Sequence, residues 1–182
     1  SWYFKQRLYI RILLLFKEII TNMKVSIIVG SKSDLDYADK CSEILKSLSI
    51  EHSIKVLSAH RTPKLLSAHI EKCEKDGVSV FIAMAGLAAH LAGSVAAKTF
   101  KPVIGVPIDS GSLNGIDALL ATVQMPKGVP VATVAIGSAG ASNAAYLAAQ
   151  ILSLSSKSIS DALRDVREQN IKAIKELNKN LK

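Results

Sequence analysis

The ten residues Ile54-Lys55-Val56-Leu57-Ser58-Ala59-His60-Arg61-Thr62-Pro63 pass from an apolar run through a polar turn to a proline. Ile54 to Leu57 read as the end of a strand, because β-branched and aliphatic residues suit a pleated surface. Pro63 suits the first position of a helix, where its fixed φ fits and its missing N–H would have been unpaired anyway. Ser58 to Thr62 are therefore a turn between strand and helix, and that turn carries His60 beside Arg61. An imidazole can give and take a proton near neutral pH, and a guanidinium offers a planar fork of donors to phosphate or carboxylate.

The same unit recurs on both sides. Strand-like runs fall at Lys24 to Val29, His52 to Leu57, Val78 to Met84, Val103 to Val106 and Val131 to Ile136. Between them Tyr37, Cys41, Ile44, Leu45 and Leu48, and then Leu65, Leu66, Ile70 and Cys73, recur at helical spacing. Strands alternating with helices, the strands nearly continuous in apolar character, mean a parallel sheet covered on both faces. Right-handed crossovers leave few topologies, and the order 2-1-3-4-5 is the expected one for five strands. The fold class is thus α/β, a three-layer α/β/α flavodoxin-like domain with a five-stranded parallel sheet and an extra C-terminal helix.

Three segments divide the chain. Residues 1–22 hold the only Trp, half the Phe and half the Tyr, and their longest apolar run, Ile12 to Phe16, is too short to span a bilayer. They read as an extension, poorly ordered or loosely docked, with Met23 opening the fold. Residues 23–156 form the flavodoxin-like domain. Residues 157–182 form a last helix, with Ser158 and Asp161 at capping-box spacing. Ile159, Leu163, Val166, Ile174, Leu177 and Leu181 give that helix one apolar side, which packs on its own domain or on a neighbouring subunit.

A length of 182 residues with 49% hydrophobic content suffices for one well-enclosed core. The net charge of +8 falls to +5 once residues 1–22 are set aside, and no basic cluster is interleaved with aromatics. RNA binding, which net charge alone favours, therefore gives way to an anionic small molecule, with no nucleic-acid or membrane partner. Cys41 and Cys73 lie in helical stretches without metal-ligand spacing, so no metal is expected and a reducing cytoplasm fits.

In open parallel sheets ligands bind beyond the carboxyl ends of the strands, which names the loops to inspect. After the first strand, Gly30-Ser31-Lys32-Ser33-Asp34 opens a helix. Its free N–H groups and hydroxyls could cradle a phosphate, or Ser33 or Asp34 could simply cap the helix. The second strand is followed by Ser58, Ala59, His60 and Arg61. The third leads to Ala85-Gly86-Leu87-Ala88-Ala89-His90, where small residues let backbone amides approach a flat ligand. His90 is either a member of the site or a hydrogen-bonded structural group. His52 and His69 receive no role.

The set GSKSD, SAHRTP, AGLAAHLAG, PVIGVP, LNGIDALL, VQMPKGVPVATVAIG and GASNAA resembles the N5-carboxyaminoimidazole ribonucleotide mutase family over about Met23 to Leu152. The resemblance implies a cofactor-free enzyme of purine biosynthesis, usually octameric, whose sites draw on more than one subunit. It would move a carboxyl group from the exocyclic nitrogen of an aminoimidazole ribonucleotide to ring carbon C4. Carried over by position, Ser31, Ser33 and Asp34 would bind the ribose phosphate and Arg61 would pair with the phosphate. His60 would shuttle the proton, and Ala85 to His90 would surround the carboxylate. Leu87 and Ala92 depart from the family's usual glycine and proline. Two alternatives stand beside this. A carboxylating branch of the family uses dissolved carbon dioxide and carries SAHK and an AGRSN-type loop in place of SAHR and AAHL. A non-catalytic nucleotide-binding module could also be built on the same architecture.

Overall fold

A computed structural model describes residues 6–11, 23–179 and 181. Five strands, β1 (Lys24–Val29), β2 (Glu51–Val56), β3 (Val78–Ala85), β4 (Val103–Pro107) and β5 (Ala132–Thr133), form one sheet. Its order is β2-β1-β3-β4-β5, and every neighbouring pair is parallel. This is the order expected from the alternating pattern.

Six helices follow the strands: α1 (Leu35–Ser47), α2 (Pro63–Lys75), α3 (Leu91–Ala96), α4 (Ile116–Val123), α5 (Gly137–Ser153) and α6 (Lys157–Lys179). The period of the apolar residues decides which face each helix covers. Cys41 and Leu45 of α1 and the alanines Ala141, Ala144, Ala145, Ala148 and Ala149 of α5 pack with Ile27, Ile82 and Ile104 on one face of the sheet. Leu66 and Ile70 of α2, with Leu91 and Val95 of α3, pack with Ile28, Phe81 and Val103 on the other. Small residues on α5 bring its backbone close to the sheet. At Gly140 an added Cβ would run into the Ala135 carbonyl, so the end of β5 and the start of α5 leave room only for hydrogen.

Three sequence expectations need correction. The last strand is two residues long, not Val131 to Ile136: it pairs only as Ile104 with Ala132 and Gly105 with Thr133, and the rest of the run leads into α5 at Gly137. The cap of α6 is Ser156, whose hydroxyl accepts the Ile159 N–H at 3.4 Å, while Asp161 pairs with Lys157 at 2.8 Å instead of closing a box with Ser158. Leu65 lies on the solvent side of α2, 61% exposed, because the core face runs through Leu66, Ile70 and Cys73. The apolar side of α6 meets its own domain only through Ile159, Ala162, Leu163 and Val166, whereas Ile171, Ile174 and Leu177 are exposed.

Residues 6–11 are helical and exposed. The expected character of residues 1–5 and 12–22 lies outside the described residues.

Candidate active site

The strand ladders continue one residue past their ends and so align the loops. Gly30 donates to Met84 O at 3.0 Å, Leu57 to Val29 O at 2.9 Å and Ile108 to Ala85 O at 2.9 Å. Four loops consequently leave the sheet side by side at its carboxyl rim. Between them lies a cavity of about 500 Å³ lined by Gly30, Ser31, Ser33 and Asp34, by Ser58 to Arg61, by Ala85 to Leu91, and by Ser110. All thirteen candidate residues from the sequence, His60 and His90 among them, border this one hollow. The wall also includes Ala89, which lies within the expected Ala85–His90 loop, and Leu91 and Ser110, to which the sequence assigned no role. Ser110 had a readable signal, since it follows β4 on the same rim.

Each loop is built from its own polar side chains. In the first, Ser31 N–H donates to Asp34 Oδ2 at 3.1 Å, Ser33 Oγ donates to Asp34 Oδ1 at 3.1 Å, and the two serine hydroxyls lie 2.5 Å apart. Asp34 is buried, 6% exposed, and shapes the turn from which α1 departs. A carboxylate has about four acceptor positions, so these two bonds leave capacity for a ligand hydroxyl. In the second loop, Thr62 closes the turn: its N–H donates to Ser58 O at 2.9 Å and its hydroxyl accepts the Ser58 N–H at 3.0 Å. The Ser58 hydroxyl accepts the Arg61 N–H at 3.1 Å. Pro63 then starts α2, as its fixed φ requires.

This turn aims Arg61 across the cavity mouth, where its Nη2 donates to Gly30 O at 3.3 Å. His60 Nε2 and His90 Nδ1 lie 3.2 Å apart, with ring centroids separated by 5.2 Å. Such a contact is a hydrogen bond when one nitrogen carries the proton and the other its lone pair. His60 Nδ1 then remains the ring nitrogen that no described residue engages. His60, Arg61, Leu87, Ala88 and His90 are all exposed, so the cavity opens to solvent.

The third loop departs from ordinary backbone at two places. Leu87 has φ 56° and Ala89 φ 34°, both in the left-handed region. Leu87, where the sequence resemblance leads one to expect glycine, thus has a backbone that favours glycine. Ala92, where the same resemblance leads one to expect proline, is the second residue of α3, in the first turn that tolerates a missing N–H.

The other two histidines lie off the rim. His69 Nε2 is 3.0 Å from the buried Ser26 hydroxyl, and His52 Nε2 is 2.7 Å from Ser42 Oγ. Burial, then Lys55 and Lys72, hold His69 below the usual imidazole range. Burial pushes the thiol of Cys41 up to about 12 and that of Cys73 up as well. Among the described residues no group of three or more His, Cys, Asp or Glu could hold a metal ion, and no helix is long and apolar enough to cross a membrane.

The family model described as AIR carboxylase matches residues 24–173. The chain belongs to the AIR carboxylase family. It is 50% identical over 145 residues to the N5-carboxyaminoimidazole ribonucleotide mutase of Escherichia coli (strain K12), covering 80% of this chain and 86% of that one. It is 52% identical over 145 residues to the mutase of Saccharolobus solfataricus, covering 80% and 90%. Among solved structures, the crystal structure of Treponema denticola PurE superposes with a TM-score of 0.80 at 34% identity, covering 87% of this chain and 98% of that one. The family's match begins at the first residue of β1 and ends within α6.

Proposed function

We propose that this chain converts N5-carboxyaminoimidazole ribonucleotide to 4-carboxy-5-aminoimidazole ribonucleotide, a mutase step of de novo purine (IMP) synthesis. The observation that carries the reading is that His60 and Arg61 share one cavity with the Gly30–Asp34 turn and the Ala85–His90 loop, in a family whose half-identical members bear the mutase name.

The chemistry follows from the groups present. Ser31, Ser33 and Arg61 hold the phosphate by charge-assisted hydrogen bonds, and Asp34 accepts from the ribose hydroxyls. That anchorage leaves the aminoimidazole facing His60. The protonated imidazole gives its proton to the exocyclic nitrogen, the nitrogen–carboxyl bond breaks with its electron pair going to nitrogen, and carbon dioxide is released. C4, an enamine-like carbon, attacks the freed molecule, and the now neutral His60 removes the proton that C4 carried. One proton is given and one recovered, so the ring ends as it began. His90, 3.2 Å away, orients the imidazole by occupying its other nitrogen. Holding carbon dioxide against C4 is a proximity effect, worth up to about 7–11 kcal/mol in well-oriented cases.

Retention of the gas requires a closed cavity, whereas this one is open in the single chain. Leu87 sits over Gly111, which begins the loop carrying the exposed Leu113 and leading to the exposed Ile116, Leu120 and Val123 of α4. A helix apolar on its outward face as well as its inward one belongs in an interior. Further copies of the chain, in an octamer by the family resemblance, cover that face and close the site. The unpaired thiols Cys41 and Cys73 fit a reducing cytoplasm.

The test is an assay with the labelled N-carboxylated nucleotide beside the uncarboxylated one plus bicarbonate. Conversion of the first supports the mutase. Conversion of the second alone places the chain in the carboxylating branch. His60→Asn should lower turnover by about 10²- to 10⁴-fold while nucleotide affinity survives. A non-catalytic binding module would convert neither nucleotide, with or without the substitution.

A further inference from the structure

The wall of the cavity contains two polar side chains that the mechanism above leaves unused: Ser58, whose hydroxyl already accepts the Arg61 N–H, and Ser110. The Ser110 backbone is committed, since its N–H donates to Ile108 O at 3.0 Å. Its hydroxyl forms no hydrogen bond with any described residue. That hydroxyl lies over Gly86: a Cβ built on Gly86 would collide with Ser110 Oγ first, ahead of every other atom. The glycine of the carboxylate loop therefore makes space for this oxygen. Ser110 is half-buried, so the hydroxyl is partly sheltered from water and free to serve a ligand.

The residue before it is fixed from three sides. Tyr37, on the first turn of α1, donates its hydroxyl to Asp109 Oδ1 at 2.7 Å. Gly115 and Gly137 both have positive φ, at 84° and 72°, and both close on Asp109. A Cβ on the first would lie 3.0 Å from Asp109 Cα, and one on the second 2.7 Å from Asp109 Oδ1. The hydrogen bond to Asp109 pushes the Tyr37 phenol up to about 12, keeping it a donor throughout the physiological range. Tyr37 stands one helical turn beyond Ser33 and Asp34. The contact consequently joins the loop after β1 to the loop after β4, the two walls of the cavity. A second tie runs parallel to it, from Lys40 Nζ to Ser138 Oγ at 2.6 Å.

We propose that Ser110 is a substrate-contacting residue whose hydroxyl donates to the carboxylate held by the Ala85–His90 loop, and that the Tyr37–Asp109 hydrogen bond is the positioning contact that sets it there. The assignment rests on the mutase reading. A hydrogen bond to an ionised group is among the stronger kind, and its geometry depends on how firmly the donor is placed. Because the carboxylate is charged before the reaction as well as after it, the contact acts on the bound substrate, and its loss falls mainly on KM.

The experiment compares the wild-type chain with Ser110→Ala, Tyr37→Phe and the double variant, using the labelled N-carboxylated nucleotide and following melting temperature alongside. Ser110→Ala should lower kcat/KM by about tenfold to a hundredfold, chiefly through KM, with melting unchanged. Tyr37→Phe should lower kcat/KM about threefold in the wild-type background and leave the Ser110→Ala background unaltered, since a residue acting through another loses its effect when that other is gone. Ser110→Ala within twofold of wild type, or a loss that appears in kcat together with a lowered melting temperature, overturns the substrate contact. Equal effects of Tyr37→Phe in both backgrounds overturn the positioning role. An inactive wild type overturns the mutase reading itself, and is distinguished from failure of the Ser110 assignment because the latter requires an active wild type.

Discussion

Leu87 shows how much one residue can reveal about the site. Its φ of 56° lies where a side chain costs about 1–2 kcal/mol. Replacing it by glycine removes that strain but adds about 0.5–1 kcal/mol of freedom to the unfolded chain. Leu87→Gly should therefore stabilise the fold by a few tenths to about 1 kcal/mol in denaturant titration, whereas Leu87→Ala, which keeps the Cβ, should show no gain. The Tyr37 phenol gives a pH prediction. Its pKa is raised from 10.0 to about 12 in the fold, so its stabilising effect is present below 10 and disappears as pH climbs from 10 to 12. Wild type should lose more stability over that interval than Tyr37→Phe does, as read by melting temperature. Cys41 is fully buried with its thiol held near 12, so alkylation at pH 8 should spare it until the chain unfolds. The pairing of His60 with Arg61 was legible in the sequence because the proline and the apolar run fix the turn around them. The backbone of Leu87 was not, because φ depends on how neighbouring loops crowd the segment.

Elements were legible where their periodicity was long. β1, β3 and β4 and the core face of α1 could be read because burial on both faces of the sheet demands unbroken apolar runs in the strands and one apolar stripe on each helix. β5 resisted, since the run of Val131 to Ile136 is spent partly on entering α5, which begins at Gly137. The crowding there sets an element-level prediction. Gly140→Ala must push the Ala135 carbonyl aside, and overpacking of backbone against backbone should cost about 3 kcal/mol or more, measured by chemical unfolding. The start of α6 was misread by two residues because serines crowd that segment, at 153, 155, 156, 158 and 160. Several could cap, and the hydrogen bond from Ile159 to Ser156 decides. Ser156→Ala should cost about 1 kcal/mol, an ordinary value for a lost N-cap.

On the scale of the whole molecule, the open cavity and the bare faces of α4 and α6 are the surfaces through which the proposed assembly would form. Replacing Ile174 and Leu177 by Asp should lower the mass observed in sedimentation while leaving the circular dichroism of the chain unchanged. A wild type that sediments as a single chain at micromolar concentration would contradict the proposed assembly. The spacing along α6 explains why it can serve two surfaces at once. Leu163 and Ile174 are separated by eleven residues, as are Val166 and Leu177. An eleven-residue repeat turns at about 3.67 residues per turn, close to the natural pitch, so its seam stays nearly parallel to the helix axis. In the proposed assembly, the portion beyond residue 170 is a handle offered outward in the same orientation in which the first half is gripped at home. Folding would then be recorded on the near half and association on the far half, so evolution could retune the company this chain keeps without touching what lets it fold.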